Sequence, residues 1–181
     1  MYLPLLPMVM HRSTRRPTCG LLMPIEWRSE LAQQGFEVID ETVTDGNCGI
    51  HAFVIALIDA AASDKILAST SQFKQVRSLN ANLKELILHV RGSAYKWMKS
   101  NADTLVWDDM RFKDVAVAMA GLPGRTFGDQ CNVAARDGAW IDCSVLLALA
   151  LVYSVDIIVY QQNQPHSMVG PSLMENPHLL V

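Results

Sequence analysis

One cysteine in this chain stands between a polar turn and an apolar run, and its neighbours suit it to covalent chemistry. Asp45-Gly46-Asn47 precedes Cys48 directly. Glycine tolerates positive φ, and aspartate and asparagine bond their own backbone, so the three residues read as a turn. Ile50 to Ala62 is then apolar except for His51 and Asp59. Such a run reads as a buried helix, and Cys48 falls in its first turn. Unpaired N–H groups and the helix dipole favour negative charge there. The expectation is a thiol whose pKa falls, leaving more thiolate to act as a nucleophile at neutral pH. The backbone around Gly46, Asn47 and Cys48 could also receive an oxyanion. A free cysteine is more often a packing residue. The turn in front of Cys48 distinguishes it from Cys19, Cys131 and Cys143.

Cysteine hydrolysis also needs a base and a group to orient it. His51 lies three residues after Cys48, on roughly the same helical face, and reads as a packing or supporting residue. His89, between Leu88 and Val90, reads as a helix-surface residue. His11 falls in the N-terminal leader, His166 follows Pro165 in a loop, and His178 follows Pro177 near the C-terminus. The cysteines contain no Cys-x-x-Cys pair and form no zinc-ligand set with the histidines. They read as thiols of a reducing, cytoplasmic compartment, with no metal and no cofactor.

A second block lies downstream. Trp140-Ile141-Asp142 precedes Leu146-Leu147-Ala148-Leu149-Ala150, then Tyr153, then Val155-Asp156-Ile157-Ile158-Val159-Tyr160. Together with Asp45-Gly46-Asn47-Cys48-Gly49-Ile50-His51-Ala52-Phe53, it resembles the ovarian tumour (OTU) family of cysteine proteases. Ile141 stands where that family commonly has glycine. The resemblance implies a papain-like α+β fold, with a small central sheet flanked by helices and the nucleophile at the N-terminus of the central helix. It implies Cys48 as nucleophile, Asp45 as the residue that shapes the loop, and Gly46 and Asn47 as the oxyanion loop. It also implies a thiol-dependent deubiquitinase that hydrolyses isopeptide or peptide bonds at the C-terminus of ubiquitin or polyubiquitin. The family's late histidine, followed by an aromatic residue, has no evident counterpart: His178, the alternative base ahead of His166, precedes Leu179. The expectation is therefore a domain, residues 35–181, that is incomplete at its C-terminal end. The alternative function is a catalytically incomplete ubiquitin-binding module, a fragment or pseudoenzyme.

The elements that must position these residues follow from periodicity and punctuation. Pro24 to Gln34 reads as a short helix, and Phe36 to Ile39 as a strand leading into the turn. Ser63 to Ser78 reads as loop with some helix. Leu83, Leu86, Ile87, Val90, Ala94, Trp97 and Met98 share one face, which predicts an amphipathic helix over Leu83 to Lys99. Phe112, Val115, Ala116 and Met119 predict another, ending at Gly121. Arg125 to Gly138 reads as a surface loop. Asp142 or Ser144 caps a helix over Val145 to Tyr153, and Val155 to Tyr160 reads as a central strand.

The chain has 181 residues, half of them apolar, and a net charge of −3. That length suits one domain, and the charge points to no nucleic-acid partner. The most apolar stretch, Val145 to Val152, is about two helical turns, too short to span a bilayer. Residues 1–34 read as an N-terminal extension, partly disordered, with an apolar Tyr2 to Met10 run followed by a basic cluster.

Overall fold

The computed structural model describes residues 5–9, 29, 32–33, 45–79, 82–107, 109–120, 124–160 and 167–172. The helix that Cys48 opens is α1, Cys48–Ser63. Ile50, Phe53, Val54, Leu57 and Ala61 recur at helical spacing and are buried, so one stripe of α1 faces the core. Asp64 stops α1 and caps the next helix, α2 (Lys65–Ser69), by accepting from the Ile66 and Leu67 N–H groups. A further helix, α3 (Ser71–Leu79), buries Phe73 and Val76. The Ser63 to Ser78 stretch, expected to be mostly loop, is thus two short helices. Neither repeats an apolar face clearly, α2 burying only Leu67 and α3 only Phe73 and Val76, but Asp64 has the side chain of a good N-cap.

The predicted amphipathic helix is α4, Leu83–Ser100, capped by Asn82. A two-stranded antiparallel ribbon follows, β2 (Leu105–Trp107) and β3 (Met110–Arg111), and leads into α5, Phe112–Ala120. The segment expected to be a surface loop contains α6, Phe127–Ala135. Its glycines and charges hide a capping box, in which Thr126 and Asp129 satisfy each other's backbone N–H groups. The last long helix is α7, Cys143–Tyr153, with Asp142 as N-cap. Ser144 through Ala150 are all buried, so α7 is surrounded by protein on every side.

The predicted central strand is β4, Asp156–Tyr160. It lies in the middle of a three-stranded mixed sheet, parallel to β1 (Leu5–Val9) and antiparallel to β5 (Ser167–Val169). The architecture is α+β and mostly helical, with α1 against β1 and α7 against β4 and β5. Five residues of the Tyr2 to Met10 run, assigned above to an N-terminal extension, therefore belong to the sheet, in a register from Leu5 opposite Asp156 to Val9 opposite Tyr160. Among the described residues β1 lies at the edge of the sheet, where Pro7, which lacks an N–H donor, is tolerated. Of the Pro24 to Gln34 helix only residues 29, 32 and 33 are described, and they are helical. The Phe36 to Ile39 strand lies outside the described residues.

The helices meet through aromatic contacts. Trp97 and Phe112 stand edge to face at 4.9 Å, and Phe53 and Tyr153 lie 5.4 Å apart. Burial pushes the Tyr153 phenol up to about 12, against a side-chain hydrogen bond with Ser93 that pulls it down. In the unfolded chain the phenol ionises near its ordinary value of about 10. Between these two values the unfolded state releases the proton more readily, so stability falls as pH rises. Tyr153→Phe should flatten that fall in urea titrations run from pH 9.5 upward; an unchanged slope would show that the phenol is not sheltered.

Candidate active site around Cys48

The helix α1 begins at Cys48 itself. The Cys48 N–H donates to the Asp45 carbonyl at 3.2 Å. The Asn47 N–H donates to the Asp45 carboxylate at 2.9 Å, an Asx turn of the kind the sequence suggested. Asn47 occupies the N-cap position, yet its side chain caps none of the N–H groups of α1. It is engaged elsewhere. Its amide oxygen accepts from Arg91 Nε at 2.8 Å and from the Gly138 N–H at 3.1 Å, and its amide nitrogen donates to Asp137 at 2.9 Å.

Gly46 packs against the same loop. An alanine Cβ here would overlap the Gly138 carbonyl and lie 2.9 Å from the Ala139 nitrogen. Only a residue without a side chain permits this approach. The loop runs on through Trp140, which is 55% exposed, and Ile141, which is buried, to Asp142 at the cap of α7. The two sequence blocks, Asp45 to Cys48 and Trp140 to Asp142, are thereby joined through residues 137–139.

Arg91 fastens this junction from beneath. It projects from α4 and is fully buried. Besides Asn47, it donates to the carbonyls of Gly46 at 2.8 Å, Ala139 at 2.5 Å, Ala134 at 3.3 Å and Val133 at 3.4 Å. Sequence reading missed this residue, although a signal was present: Arg91 is four residues after Ile87 and three before Ala94, within the apolar stripe of α4. A charge on a buried stripe requires partners.

Cys48 is half-buried, and its thiol is pushed up from the ordinary value, against the fall expected from its place in the first turn. Burial is the main cause. The Gly49 N–H opposes it, the Asp45 carboxylate adds to it, and the Cys48 N–H and Arg91 pull the other way. Charge at a helix N-terminus is typically worth about 0.3–1 kcal/mol. Here it is outweighed by shelter from water and a nearby anion, both of which disfavour the thiolate.

Two of the expected oxyanion donors, the Asn47 and Cys48 N–H groups, are also committed in this conformation. Asp45 takes the N–H of Asn47 on its carboxylate and that of Cys48 on its carbonyl. A developing oxyanion would have to displace Asp45 from them. Neither described histidine is among the groups that shift the thiol. His51 is half-buried on α1, and His89 is half-buried on α4, its carbonyl accepting from Ser93 Oγ. His11, His166 and His178 lie outside the described residues. Cys131 is buried within α6, and burial pushes its thiol up; Cys143 opens α7 and is exposed.

Among the described residues, no cluster of three histidine, cysteine or acidic side chains could hold a metal ion. No helix among them is long and apolar enough to cross a membrane. Comparison of the chain with known protein families, with curated proteins and with solved structures finds no match in any of the three.

Proposed function

We propose that this chain is a thiol-dependent hydrolase of the papain-like, OTU-like kind, acting on peptide or isopeptide bonds at the C-terminus of ubiquitin. The observation that carries the reading is Cys48 as the first residue of the buried helix α1, behind a turn fixed at atomic contact to the loop that leads to Trp140. A cysteine retained only for packing needs no such turn. In the proposed reaction the Cys48 sulfur attacks the carbonyl carbon of the terminal glycine. The electron pair of the carbonyl moves onto its oxygen, and Asn47 and Cys48 N–H groups, once released by Asp45, receive that charge. The proton lost by the thiol passes to the nitrogen as the C–N bond breaks, so the amine leaves neutral. Water then cleaves the thioester, releasing the acid and returning a proton to the sulfur.

A second reading, the catalytically incomplete binding module, is favoured by a separate observation. The thiol is raised, and neither His51 nor His89 is among the groups that shift it. A thiol in that state is a poor nucleophile, and lack of a general base typically costs about a hundredfold to ten-thousandfold in rate.

The test is ubiquitin carrying a thiol-reactive C-terminus, followed by cleavage of ubiquitin chains. Covalent labelling should occur and should be lost in Cys48→Ala. Labelling that survives Cys48→Ala and disappears in Cys131→Ala or Cys143→Ala would overturn the assignment of the nucleophile. Labelling without chain cleavage would select the binding module; neither labelling nor binding would remove both readings.

A further inference from the structure

We infer that Arg91 is a positioning residue for Cys48: its guanidinium clamps the Asp45 to Asn47 turn onto the 137–139 loop and so sets how far the cysteine sulfur is sheltered and held in place. The inference deepens the thiol-hydrolase reading, but it is carried by geometry at the turn. A guanidinium has five N–H donors in a fixed fork. All five are used here: Nε on Asn47, one terminal nitrogen on Val133 and Ala134, the other on Gly46 and Ala139. Two of the five bonds hold the residues immediately before Cys48, and three hold the end of α6 and the loop that follows it.

All five acceptors are neutral oxygens. Taking a cation out of water is costly, and apolar residues could join α4 to α6 without that cost. They could not bind a turn carbonyl and an asparagine oxygen at the same time. The fork performs that task because its donors are coplanar and rigidly spaced, which a lysine ammonium cannot reproduce. Asn47 completes the arrangement. It gives up the capping role usual at its position and spends its side chain on Arg91, Asp137 and Gly138 instead. The start of the helix is thus fixed from outside the helix.

The test reads Cys48 directly in the full 181-residue chain and does not depend on hydrolysis. Iodoacetamide alkylation is followed across pH, with each cysteine resolved by peptide mass. Two variants keep the positive charge: Arg91→Lys, which loses the fork, and Asn47→Ala, which loses the acceptor on the turn. Buried Cys131 reports whether the fold survives. In both variants the Cys48 midpoint should move down towards that of an exposed thiol, and its alkylation at neutral pH should speed up by severalfold to about tenfold, one pH unit of midpoint being tenfold in thiolate. Cys131 should stay protected. An unchanged Cys48 profile in both variants, with Cys131 protected, would overturn the inference and leave Arg91 as scaffold only. If Arg91→Lys exposes Cys131, Asn47→Ala decides, because it leaves the buried guanidinium its four carbonyls. Exposure of Cys131 in both variants would equally overturn it, by making the turn part of the folding core. Failure of the ubiquitin probe with these shifts intact would instead count against the hydrolase reading alone.

Discussion

Replacing Arg91 with methionine should cost about 3 kcal/mol or more of folding stability. Methionine keeps the unbranched stem, stops short of the guanidinium and removes a desolvated cation, which by itself can stabilise a protein. Here the partners decide the sign. Five oxygens lose a donor together; Asn47 keeps the Gly138 N–H and Val133 the Arg136 N–H, which leaves the carbonyls of Gly46, Ala134 and Ala139 without one. Each buried polar group left unpaired costs about 1–3 kcal/mol. The oxygens nearest the surface can recover water, so the total is less than the sum. In a domain of this size a loss of 3 kcal/mol lowers Tm by roughly 10 °C. Urea unfolding of the two proteins measures it through the shift in midpoint at constant slope. A loss below about 1 kcal/mol would mean that water enters beneath the turn, and that the clamp is wet rather than buried.

Gly46→Ala should be nearly as damaging, while Gly92→Ala should stabilise. The added carbon at Gly46 meets the backbone of Gly138 and Ala139, not the end of a flexible side chain. The turn must therefore back away from the loop, stretching the Asn47–Gly138 and Arg91–Gly46 bonds. Overpacking of this kind costs about 1–3 kcal/mol, and Cys48 moves with the turn, so labelling by the ubiquitin probe should fall at least tenfold. At Gly92, in the interior of α4, an added carbon meets nothing within 4 Å. Alanine there gains helix propensity of about 0.5–1 kcal/mol. Opposite signs at the two glycines would be read in one urea experiment, and equal effects would refute the packing of the turn on the loop.

What the sequence revealed divides along a physical line. Long elements with one repeating apolar face were legible, and α1, α4 and α7 begin within two residues of their expected starts. The strand β4 was legible because its apolar run is short and bounded by polar residues. The short helices α2, α3 and α6 were not. The helix α5 is as short as α3 and α6 but marks one face with Phe112, Val115, Ala116 and Met119, whereas α2 buries only Leu67, α3 only Phe73 and Val76, and α6 a glutamine and a cysteine beside Ala134. Asp64 and the Thr126–Asp129 box were the available signal. At the site, Cys48 at a helix start and the Asp45 turn could be read locally. Arg91 could not, since its partners lie more than 40 residues away in either direction. The raised thiol was missed for the same reason. The dipole of a helix is written in its own sequence, whereas burial is supplied by the rest of the chain.

The pairing of β1 with β4 has a consequence for the making of the protein. The first strand leaves the ribosome about 150 residues before the strand it hydrogen-bonds. At the usual pace of about 5–20 residues per second, it waits roughly 10–30 s for that partner. Throughout that wait the side of the strand that faces β4 has its backbone groups unpaired, as any sheet edge does. The helices between the two strands rely on nearer contacts and can form meanwhile. Closure of the sheet is therefore a late event in synthesis, and a nascent chain stalled before Asp156 carries an open docking edge for any strand of another chain.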